Sequence, residues 1–162
     1  MSDLLPLLQA FHRDKLTELL RHQAGARLVG QYDANNTYQY IISREETQLA
    51  WVATAILELG GIVVDNTKEP VRTAAGKGET GSQAIEAEDS QAAQAFVDAW
   101  RPRVEAMTNA RHRGMLRVIL GETLEQKRFF DQALAGDHDL LGRRSDEVGV
   151  RVGTVLSTRW IE

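Results

Sequence analysis

YQYIISREETQLAWVATAILELGG, residues Tyr38 to Gly61, is the clearest helical stretch in the chain. Apolar side chains at Tyr38, Ile41, Ile42, Leu49, Val52, Ile56 and Leu59 carry the three, four and seven spacing of one buried helix face. Glu45 lies in the middle of that face. A carboxylate at a core position is costly unless it is paired, protonated or bound to a metal. The partner of Glu45 is therefore what the surrounding sequence must supply.

Length and composition narrow the choices. A chain of 162 residues is long enough to bury one full core. Its apolar share of 43% and charged share of 26% are ordinary for a globular protein. A net charge of -4 speaks against nucleic acid and against anionic membrane surfaces as partners. With no cysteine there is no disulfide, thiolate metal site or cysteine nucleophile. The start, MSDLLPLLQAF, does not read as a secretory signal, and no run of about 18 apolar residues predicts a spanning helix. The expected location is the cytoplasm, by elimination.

Outward from the quoted stretch, a first helix is predicted from about residue 3 into the 20s, with Leu5, Leu8, His12, Leu16, Leu19 and Gln23 along one stripe. GQYDANN, Gly30 to Asn36, is turn-like, and Asp33, Asn35 or Asn36 can cap the second helix, which stops at Gly60-Gly61. Residues 62–82 hold a proline and several glycines and read as a long crossover connection. They lack the G-x-x-x-x-G-K-[ST] pattern of a phosphate loop. A third helix follows, with Glu86, Glu88 and Asp89 expected in its first turn. Ala93, Phe96, Val97, Trp100, Val104 and Met107 form its apolar face, and Pro102 predicts a kink or a break. Thr108 and Asn109 look like the next cap, and a fourth helix is expected from about Ala110 to Leu134, ended by Gly136. Trp160 and Ile161 suggest that the tail packs on the rest.

Aligning Glu45 with Glu122 brings the second and fourth helices into step: Ile41-Ile42 meets Val118-Ile119, and Leu57 meets Leu134. Both helices then carry a glutamate at an equivalent, core-facing position. Two helix pairs joined by a long crossover make an all-α four-helix bundle.

These features resemble the ferritin-like superfamily, with its bacterioferritins and rubrerythrins, and the second helix ends in LGG (Leu59 to Gly61) as that family's commonly does. The resemblance covers roughly residues 3–136. It implies a ferritin-like four-helix bundle over 1–136, with 137–162 as a C-terminal extension packed on it. It also implies a di-iron centre for iron, oxygen or peroxide redox chemistry, built from Glu-x-x-His on the second and fourth helices and one Glu on each of the others. Carried over by position, Glu45 and Glu122 are the central glutamates, but Gln48 and Glu125 stand where the histidines belong, and Gln126 follows. The first-helix ligand falls between His12 and Glu18, and the third-helix ligand on Glu88, Asp89 or Gln94. The candidate metal ligands are thus Glu45, Glu122, Glu125, His12, Glu18 and Asp89. Iron suits hard carboxylates and borderline imidazoles, whereas a neutral amide is a poor ligand.

Blander roles stand beside these. His12 and His22 read as satisfied core or boundary histidines, and His112 as a surface residue. Glu45 and Glu122 can instead pair with an arginine such as Arg44 or Arg111. The basic run RHRGMLR, Arg111 to Arg117, reads as a solvated face. No nucleophile-base-orienter set for hydrolysis can be picked out, and no catalytic residue is assigned. Two functions follow: a di-iron redox protein, or a metal-free ferritin-like bundle serving as a structural or protein-interaction module. A homodimer or larger homo-oligomer is the partner arrangement left open.

Overall fold

The structure is a computed structural model that describes residues 3–74 and 76–137. It contains four helices: α1 (Leu4–Ala26), α2 (Tyr32–Glu58), α3 (Gly78–Glu105) and α4 (Ala110–Leu134). The predicted extension, 137–162, lies outside the described residues apart from Asp137. No strand occurs among the described residues, in keeping with the all-α reading.

Local chemistry sets the helix ends. Gly60 closes α2 with φ 80, a left-handed backbone that a side chain would strain. Asn109 caps α4 as expected, its side chain accepting a hydrogen bond from the His112 amide at 3.0 Å. Pro102 neither breaks nor ends α3, which continues to Glu105. It sits in the last turns, and it and Asp98, whose carbonyl loses its usual donor, are both exposed.

The start of α3 differs from expectation. The helix begins at Gly78, so the connection ends earlier and Glu79 is the first-turn acid. Glu86 and Asp89 consequently lie further along, where both are buried. The early start depends on Gly81. A Cβ at that position would stand 2.5 Å from the Gly76 carbonyl oxygen, so only glycine lets the incoming chain pass that close.

Side-chain pairs join the helices across the bundle. Lys15 and His22 meet Glu45, Arg21 meets Asp89, Arg44 meets Glu122, and Ser90 meets Asp131. Helix α1 packs on α2 and α3, and α4 packs on the same two. Helices α2 and α3 are therefore diagonal, and the connection between them, 59–77, holds no helix or strand among its described residues. The connection lies along α1: Gln9 donates to the Ile62 carbonyl and Arg72 donates to the Arg21 carbonyl.

The core is divided. One apolar cluster joins Leu8, Phe11, Val52, Ile56, Trp100 and Ile119. Within it Phe11 meets Trp100 edge-to-face at 4.9 Å. A second cluster joins Leu16, Tyr38, Ile41, Ile85, Phe129 and Phe130. Between them, on α1, α2 and α4, lie Lys15, Glu45, Gln48, Thr123 and Gln126, all buried. A polar layer thus crosses the middle of the bundle. Val118, which the helix matching sets beside Ile119 on the apolar face of α4, is instead 50% exposed.

Candidate functional site

Glu45 is the centre of the polar layer. One of its oxygens, Oε1, lies 2.5 Å from His22 Nδ1, and the other, Oε2, lies 3.0 Å from Lys15 Nζ. The Lys15 and Glu45 side chains have no solvent exposure and that of His22 has 2%. Lys15 also reaches diagonally across the bundle to donate to Thr123 Oγ1 at 3.2 Å. That hydroxyl donates onward to the Ile119 carbonyl of its own helix at 2.8 Å, so the chain of donors ends in a satisfied backbone group. The ammonium also stands 5.1 Å from the Phe96 ring centroid, where the π face favours a cation.

The electrostatics follow from this packing. Burial alone would raise the Glu45 pKa, but the His22 imidazolium and the Lys15 ammonium outweigh it and hold the carboxyl below its usual range. Burial would lower His22, but Glu45 overrides it and keeps the ring protonated to higher pH than usual. Glu18, on the flank, is raised by burial against the pull of His22, Arg21 and Lys15.

A second buried carboxylate, Asp89 on α3, is likewise neutralised. It accepts from Tyr38 Oη at 2.6 Å, and from Arg72 at 3.1 Å and Arg21 at 3.2 Å. Burial and the adjacent Asp89 charge push the Tyr38 hydroxyl well above its normal pKa. The phenol therefore stays a donor and holds α2 to α3 across the diagonal.

The six candidate ligands are dispersed among such partners. Glu122 is part-exposed rather than buried, and it is held by Arg44 at 3.0 and 2.9 Å and by the Gln48 amide at 2.9 Å. The core-facing expectation for Glu122 is thereby corrected, and the Arg44 pairing weighed beside it is found. Glu125 is exposed and bonded to Arg128. His12 is buried with Asp65 as the nearby charge, and burial lowers its pKa. Glu18 and Glu45 share the surroundings of His22 and Lys15. Asp89 belongs to its arginines and Tyr38. Among the described residues no group of three or more His, Asp and Glu side chains converges as a metal site. Gln48 Oε1 and both amide atoms of Gln126 are buried without a hydrogen-bond partner, but neutral amides are weak ligands for iron. His112, expected at the surface, is 6% exposed, and its ring nitrogens lack partners among the described residues.

Lys15 and His22 are the members of this site that the sequence reading missed as partners. Their signal was present. Leu8, Phe11, Lys15 and His22 are spaced three, four and seven apart, so Lys15 lies inside an apolar stripe. A lysine at such a position opposite a buried glutamate is the natural ion pair. No family model matches the chain, and no curated protein matches it.

Proposed function

We propose that the chain is a metal-free, ferritin-like helical bundle that serves as a structural or protein-interaction module. The ferritin-like part is supported by the diagonal placement of α2 and α3, which makes residues 59–77 a crossover along the bundle. The metal-free part is carried by one observation: Lys15 Nζ sits 3.0 Å from Glu45 Oε2 with both side chains sealed from solvent. The resemblance would place the first-helix ligand between His12 and Glu18, and the group of that stretch that pairs with Glu45 is the Lys15 ammonium. A fixed cation repels a second cation and already neutralises the carboxylate that iron would need. The di-iron alternative would require Glu45 to exchange both buried partners for metal. The interaction role is supported by Leu57, Ile62 and Val64, large apolar side chains exposed at and just after the end of α2.

Thermal unfolding tests this reading. The melting temperature should be the same in chelator, in ferrous iron and in manganese. A metal bound to the folded state at about one hundred times its Kd would add roughly 2.7 kcal/mol and raise the midpoint by several degrees. A rise of that size with iron, reversed by chelator, would overturn the proposal.

A further inference from the structure

A cleft of about 540 Å³ lies away from the polar layer, where the turn between α1 and α2 faces the start of α3. That volume suits a small organic molecule. Glu86 lines it, is only 2% exposed, and makes no hydrogen bond or ion pair among the described residues. Nearby Asp89 has Arg21 and Arg72, but none of the side chains lining the cleft is cationic. Glu79 lines the same cleft from the first turn of α3, so two carboxylates share it. Burial, with Asp89 and Glu79 nearby, pushes the Glu86 carboxyl up to about 7, the mark of a carboxylate without a counter-charge.

We propose that this cleft binds a small organic cation, a primary alkylammonium, with Glu86 as the anchoring carboxylate and Glu79 as the outer one. The ammonium would supply the charge and hydrogen-bond donors that Glu86 lacks. The alkyl body would lie against Leu28, in the space over Gly30 and Gly78, where an added Cβ would meet nothing within 4 Å. A divalent metal fits less well, because two carboxylates leave most of its oxygen ligands to neutral groups. An anion would gain the amides of the first turn of α3 but would be pressed against Glu86.

The test is a titration of the full-length protein followed by amide chemical shifts, near pH 8 so that Glu86 is ionised. n-Butylammonium chloride is the probe, and n-butanol, sodium butyrate and calcium chloride are the comparisons. Saturable shifts at the amides of Gly30, Gly78, Glu79 and Ser82 are expected with n-butylammonium alone, with a Kd on the order of millimolar. Glu86→Gln should weaken binding about tenfold or more. Gly30→Trp, which fills the open space, should abolish it while leaving Glu86 in place. The proposal is overturned if n-butylammonium gives no saturable shifts, if n-butanol or butyrate matches it, or if calcium saturates the same amides. Unchanged binding in Glu86→Gln or in Gly30→Trp would overturn it equally.

Discussion

Lys15→Met is expected to lower the free energy of unfolding by about 3–5 kcal/mol. The substitution keeps an unbranched apolar stem but removes the ammonium 3.0 Å from Glu45 Oε2. It leaves a carboxylate with 0% exposure and only His22 as counter-charge. The loss comes from stranding Glu45, since an intact buried pair stabilises little over apolar residues of similar volume. The double variant Lys15→Met with Glu45→Leu should therefore recover most of the loss, His22 then becoming neutral in its buried place. Urea unfolding followed by circular dichroism measures both. A single-variant loss below about 1 kcal/mol would show that the pair is not buried as described.

The same cluster sets a pH optimum. Glu45 has a folded pKa below its ordinary 4.5, so its contribution is complete above that value and is lost as pH falls through the lowered one. His22 has a folded pKa above its ordinary 6.5, so its contribution is complete below 6.5 and is lost as pH rises through the raised one. Both are fully present between 4.5 and 6.5.

Glu86→Gln is expected to act in the opposite direction, by stabilising the protein. Glu86 ionises at about 7 in the folded chain against an ordinary 4.5, and it is 2% exposed. The folded state holds the proton more tightly, so the wild type loses stability as pH rises through that window. Discounted for the solvent that reaches a carboxyl lining an open cleft, the difference corresponds to on the order of 1–2 kcal/mol near pH 8. Glutamine keeps the shape and cannot ionise. Its advantage should be close to zero near pH 4, grow between about pH 4.5 and 7, and level off above. Chemical unfolding across pH measures the curve, and an advantage that stayed flat with pH would contradict the assignment of Glu86 as an unpaired buried carboxyl.

The two predictions show which parts of the molecule sequence could reach. Helix positions were readable because apolar period and caps agree: Asn109 caps α4, and the predicted span of Ala110 to Leu134 is the span found. Glu45 stood out because a charge interrupted an apolar stripe, and it is fully buried. Its partners were harder to see. Choosing Lys15 and His22 requires the register between α1 and α2, which only packing sets. The start of α3 was missed because Gly78 and Gly81 look like loop residues, although Gly81 is a packing requirement inside the helix. Glu86 was then read as a first-turn acid, which hid its burial. Glu122 shows the limit of helix matching, since one step around the helix separates a core position from one shared with Arg44.

In the proposed metal-free bundle an ammonium, rather than a metal, neutralises the carboxylate at the middle of the core. Elemental analysis of protein purified after iron-supplemented expression tests it most directly. The ion-paired core predicts well under about 0.1 iron per chain, unchanged in Glu45→Gln, whereas about two metals per chain, lost in Glu45→Gln, would contradict it.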